Sequence, residues 1–132
     1  MIGLDTNVLV RYLAQDDARQ SAQASRLIES FTPEQPGYVS VLTLAETICV
    51  LEDVYGVGRE RIVEVVETLL QTHSIVVGFA DLVWQALARF RSGKADLADH
   101  LIERLGAKGG CSATMTFDRA AARDAGMKLV GR

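Results

Sequence analysis

Short apolar runs alternate with longer segments of helical period along almost the whole chain, and this alternation most constrains the fold. The runs 1–4, 38–41, 74–77, 111–115 and 128–130 are β-branched or apolar and are bounded by polar residues or glycine, as short buried strands are. The segments between them repeat apolar residues every three to four positions. One stripe is Ile62, Val65, Val66, Leu69 and Leu70, a second Leu44, Ile48, Leu51 and Tyr55, and a third Val83, Leu87 and Phe90. That is the period of an amphipathic helix. DARQSAQASRLIES begins polar and becomes helical toward Leu27 and Ile28. Strands separated by helices of this length imply βαβ units, hence an α/β fold with a mostly parallel sheet covered by helices on both faces. No repeat or linker interrupts the 132 residues, so one domain spanning 1–132 is expected.

Composition narrows the function classes only a little. No apolar run is long enough to span a bilayer and no basic leader precedes one, so a cytoplasmic protein is expected. Cys49 and Cys111 have neither metal-ligand spacing nor a disulfide framework, and are expected to act as small apolar residues. Trp84 reads as core. His73 and His100 are isolated, and His100 reads as a surface residue. The formal charge of −3 argues against a nucleic-acid partner at first sight. Setting aside Asp5, Glu46, Asp96, Asp99 and Asp118 from the 17 acids leaves 12, against 14 Lys plus Arg. The remainder is then slightly basic, and net charge does not decide the partner.

Those five acids are singled out by position. Asp5 follows the first strand, Glu46 follows the second, Asp118 follows the fourth, and Asp96 with Asp99 opens the helix leading into the fourth. Each has a local explanation. Asp5, Asp96 and Asp118 can cap helices, and Thr43-Leu44-Ala45-Glu46 has the form of a capping box. Glu46, however, lies across the wheel from the Leu44/Ile48/Leu51 stripe, so core packing does not account for it. Asp96 and Asp99 are three apart on one helical face, where like charges repel. In a parallel sheet the carboxyl ends of the strands share an edge, so these acids can converge on one crevice. Oxygen-only donors select Mg²⁺ or Mn²⁺ over zinc. The chain has no glycine-rich phosphate loop and no Ser-His-Asp arrangement.

The motifs occur in a known order. The start Ile2 to Arg11 (IGLDTNVLVR), Ser40-Val-Leu-Thr43-Leu-Ala-Glu46, Ala95-Asp96-Leu97-Ala98-Asp99-His100-Leu101-Ile102, and Gly110-Cys111 running into Thr116-Phe117-Asp118-Arg119 resemble the PIN-domain nucleases. Within these they resemble the VapC-type toxins of bacterial type II toxin–antitoxin pairs. The resemblance implies a PIN-like domain with a parallel five-stranded sheet between helices. It also implies a metal site of Asp5, Glu46, Asp99 and Asp118, with Asp96 as an auxiliary acid. Thr6, Asn7 and Thr116 would orient carboxylates or water. The implied activity is RNA hydrolysis with Mg²⁺, or Mn²⁺ in its place, in a homodimer whose site a small antitoxin covers. Leu97 stands where many relatives carry Phe or Tyr.

Two rivals belong to other classes. A haloacid-dehalogenase-like phosphatase also starts with an aspartate after the first strand, but needs a second acid two residues on, where this chain has Asn7. A non-catalytic, metal-stabilised interaction domain would use the acids as caps alone. Arg11, Lys94 and Arg119 adjoin the motif acids and can meet an RNA backbone, although solvated surface charge explains each as well.

Overall fold

Three short strands organise the first part of the chain: β1 (Ile2–Gly3), β2 (Gly37–Val39) and β3 (Ile75–Val77). They pair in parallel in the order β1-β2-β3, with Ile2 opposite Gly37 and Tyr38 opposite Val76. The computed structural model describes residues 1–131, and the chain divides into two compact units, Met1–Ala80 and Asp81–Arg132. In the first unit the strands alternate with α1 (Thr6–Ala14), α2 (Ala18–Glu29), α3 (Val41–Asp53) and α4 (Arg59–Gln71). Leu9, Val39, Leu44, Ile48, Ile62 and Val66 form its interior, none more than 2 % exposed. Each such side chain stabilises the fold by about 1.5–3 kcal/mol when fully removed from water. Gly37 permits close packing: a Cβ there would come within 2.5 Å of the buried Phe31 ring, so a larger residue would displace the ring or the strand.

The second unit holds α5 (Ala80–Phe90, entered from the end of the first), α6 (Leu97–Lys108), β4 (Met115–Thr116), α7 (Arg119–Asp124) and β5 (Lys128–Leu129). β4 and β5 pair in parallel, with Thr116 opposite Leu129. Its core comprises Val83, Ala86, Leu87, Phe90, Leu97 and Leu101, none above 2 % exposed.

The α/β alternation and parallel pairing are therefore present, but the expected five-stranded sheet is replaced by a three-stranded and a two-stranded ladder. The fourth strand begins at Met115 rather than at Cys111. Gly109 and Gly110 end α6 there, and Gly110 has a positive φ of 96°, so the chain turns before it extends. Four side chains also reverse expectation. His100 is wholly buried because it shares the Leu97/Leu101 stripe at helical spacing. Trp84 is 37 % exposed, since it lies beside, and not on, the Val83/Leu87/Phe90 stripe. Cys49 and Cys111 are exposed instead of packed as small apolar residues. No helix among the described residues is long and apolar enough to cross a membrane.

Candidate metal centre

At the end of β1 the chain passes through Leu4, which is buried, into Asp5 at the N-cap of α1. Asp5 Oδ1 accepts the Thr6 N–H at 2.8 Å, which fixes the carboxylate at the strand's carboxyl end. At the end of β2, Ser40 is the N-cap of α3: its Oγ accepts the Thr43 N–H at 3.1 Å. The expected capping box starting at Thr43 is thus displaced by one turn. Thr43 Oγ1 donates to the Leu4 carbonyl at 3.3 Å and accepts from Ser40 Oγ at 3.2 Å. Glu46 therefore lies beyond the first turn, exposed and free of any capping role. Thr6 Oγ1 donates to Glu46 Oε2 at 3.2 Å, across 40 residues of sequence.

Asp5, Thr6, Asn7 and Glu46 line an open groove of about 380 Å³ together with Val10, Arg11, Val50, Val54 and Tyr55. Arg11 does not pair with its acids. Its Nη1 meets Asp16 Oδ1 at 3.1 Å and its Nε donates to Gln20 Oε1 at 2.8 Å. The Tyr55 hydroxyl donates to Asp16 Oδ2 at 2.6 Å. That hydroxyl, and Arg11 beside it, hold the Asp16 carboxyl below its ordinary range against a smaller opposing effect of burial. Neither Asp16 nor the polar role of Tyr55 is legible locally, because 39 residues separate the partners.

The second unit gathers Asp96, Asp99 and Asp118. Asp96 is the N-cap of α6, and Asp99 Oδ2 accepts the Asp96 N–H at 3.3 Å. Asp118 caps α7 with Oδ1, accepting from the Ala120 N–H at 2.8 Å and the Ala121 N–H at 3.2 Å. Thr116 Oγ1 accepts the Asp118 N–H at 3.0 Å, holding the turn that presents it. The Asp99 carboxyl is raised above the usual range, first by burial and then by the charges of Asp96 and Asp118, with the Asp96 N–H and His100 opposing. Crowded carboxylates of this kind favour a proton or a cation among them. The Lys94 backbone N–H donates to Asp124 Oδ2 at 2.8 Å.

Among the described residues no three Asp, Glu, His or Cys groups are gathered tightly enough to hold a metal ion as they stand. The donor chemistry nonetheless suits a hard divalent cation: carboxylate oxygens with neighbouring hydroxyls and an amide, and no thiolate. Asp5 and Asp118 each have one oxygen, Oδ1, tied to backbone N–H groups, so each is oriented by the helix it caps.

No curated protein matches the chain significantly. The family model described as the PIN domain matches residues 2–126, and PIN domains are generally metal-dependent nucleases acting on RNA or DNA. With its strand-end acids and parallel pairing in place and nearly its whole length matched, the chain belongs to the PIN-domain family.

Proposed function

We propose that this protein is a Mg²⁺-dependent endoribonuclease, the toxin of a bacterial toxin–antitoxin pair, working as a cytoplasmic homodimer inhibited by a small cognate antitoxin. Asp5, Glu46, Asp99 and Asp118 are the proposed metal ligands, with Mn²⁺ as a substitute ion. Asp96, Thr6, Asn7 and Thr116 support them. The observation that carries the reading is Glu46. It is exposed, is not the cap of its helix, and is nevertheless held by the Thr6 hydroxyl in the groove that Asp5 lines.

The residues divide the work. Asp5 and Asp118 are aimed by their caps, Glu46 by Thr6, and Asp99 by the Asp96 N–H. A bound divalent ion would acidify a water molecule and neutralise charge building on the scissile phosphate. His100 is buried on α6 and His73 stands in the turn before β3, and neither belongs to a motif shared by the acids, so histidine-driven 2′-hydroxyl chemistry is not the mechanism proposed. Water is then the nucleophile, a carboxylate takes its proton, and the 3′-oxygen leaves. A purely structural role for the acids accounts for Asp96 and Asp118, which do cap helices, but leaves Glu46 unexplained.

The decisive experiment incubates the purified protein with single-stranded RNA and Mg²⁺ or Mn²⁺, then analyses the fragments by mass spectrometry. Cleavage stopped by chelator, with 5′-phosphate and 3′-hydroxyl ends, is the expected result. Ends bearing a 2′,3′-cyclic phosphate, or full activity in Asp5→Asn, would overturn the mechanism. Co-purification with a small protein that abolishes cleavage is expected for the antitoxin.

A further inference from the structure

The acidic groove has a neighbour in the same unit. A second groove of about 460 Å³ lies along α1 and α2, and Asn7 and Arg11 line both. Gln20 and Gln23 complete its polar rim, with Ala24 and Leu27 among its apolar residues, and no acid lines it. Its volume falls in the range of small-molecule sites, about 300–1,000 Å³.

The walls are fixed. Ser21, 2 % exposed, donates its hydroxyl to the Arg11 carbonyl at 2.9 Å. Gln15 Nε2 donates to Ser25 Oγ at 3.2 Å, from a residue in the left-handed conformation (φ 54°) that closes α1. The Arg11 guanidinium is gripped on two sides, by Gln20 through Nε and by Asp16 through Nη1, and Asp16 is gripped in turn by Tyr55. An exposed ion pair contributes little to stability, so four side chains are committed to an arrangement whose main effect is to set the plane of one guanidinium. That group carries five N–H donors, and those not engaged remain available where the two grooves meet.

We propose that the α1–α2 groove is a nucleotide subsite of the nuclease, binding the nucleotide next to the scissile phosphate. This rests on the ribonuclease reading above. Arg11 contacts a backbone phosphate, as a fixed planar guanidinium suits. The Gln23 amide, both donor and acceptor, reads a base edge, while Ala24 and Leu27 meet the base face. The electrostatics favour this route: Asp5 and Glu46 line the first groove and no acid lines the adjoining one, so a polyanion meets less repulsion along the latter.

The test uses the full chain and single-stranded RNA oligonucleotides. Binding is followed by fluorescence anisotropy on an Asp5→Asn background, and cleavage by steady-state kinetics on the otherwise unaltered protein with Mg²⁺. Arg11→Gln is expected to raise KM about tenfold with a smaller change in kcat, and to reduce the slope of log affinity against log salt by about one. Arg19→Gln, on α2 but outside the groove, removes the same charge and is expected to do neither. Gln23→Ala, exposed and without a structural partner to lose, is expected to alter the preferred base at one position beside the cut. Wild-type KM, salt slope and base preference in both Arg11→Gln and Gln23→Ala would overturn the subsite while leaving the nuclease standing. Failure of the wild-type protein to bind or cut RNA would overturn the nuclease reading itself, and the subsite with it.

Discussion

The acids of the two units are held in different ways. In the second unit every candidate carboxylate has backbone work: Asp96 and Asp118 cap helices, and Asp99 receives the Asp96 N–H. In the first unit Asp5 caps α1, but Glu46 is held only by a side chain from another element, the Thr6 hydroxyl. Capping and ligation ask for the same residue type at the same place, a carboxylate just after a strand. An acid that caps is thus consistent with both roles, whereas an oriented acid that caps nothing separates them. The first unit is the more diagnostic half, although the second holds three of the five candidate acids.

Glu46→Gln should give the largest effect and the sharpest contrast. Cleavage is expected to fall by more than about a hundredfold, beyond the usual cost of losing a supporting partner. Thermal stability should stay within about 0.5 kcal/mol of wild type, as for an exposed residue without a structural task. Activity assays with thermal melts check both, and a destabilised but active variant would erase the distinction between the units. Thr6→Val, which removes the hydroxyl that aims Glu46, is expected to lower activity by about 10–100-fold with the fold intact.

In the second unit, paired substitutions separate the two roles of a single acid. Asp118→Ala should cost about 0.5–2 kcal/mol through loss of the cap, and should also inactivate. Asp118→Asn keeps a good capping residue and should restore the stability without restoring cleavage. Recovery of both would make Asp118 a cap alone.

The smallest effect concerns Asp99 and pH. Its carboxyl is raised in the folded protein, so over the affected range the native state holds a proton that the unfolded chain has released. Metal-free stability should therefore fall as pH rises from the unfolded carboxylate range, about 3.9, through the folded value, and the penalty should be complete above it. Asp99→Asn should flatten that dependence and leave neutral-pH stability equal or higher. Mg²⁺ should raise the melting temperature of wild type more than that of the variant. A marked loss of stability in metal-free Asp99→Asn would place it with the structural caps.

Periodicity makes most of the architecture legible in the sequence. The Ile62/Val65/Val66/Leu69 and Val83/Leu87/Phe90 stripes are buried, and the predicted helices sit where those stripes fall. His100 was legible in principle, because its spacing from Leu97 and Leu101 is that of a buried face, but residue type suggested the surface. The cap of α3 lies one turn before the Thr43 that its sequence suggests, since Ser40 and Thr43 are both capping hydroxyls and local sequence does not rank them. Strand pairing was the least legible: ladders of two or three residues carry little pattern of their own, and the two-plus-three division appears only in three dimensions. Of the acids, position after a strand was readable, whereas the Thr6–Glu46 contact and the Arg11–Asp16–Tyr55 linkage depend on tertiary distance.

The chain of hydroxyls at Ser40 and Thr43 ending on the Leu4 carbonyl has a consequence for local opening. The Leu4 N–H is bonded to the Tyr38 carbonyl at 2.9 Å, while the Leu4 carbonyl is bonded to Thr43, so β1 and the start of α3 must loosen together where Asp5 begins. Amide hydrogen exchange at Leu4 and Leu44 should then share one opening free energy. Thr43→Val should accelerate Leu4 selectively, turning a coupled pair of helix entrances into two that breathe independently.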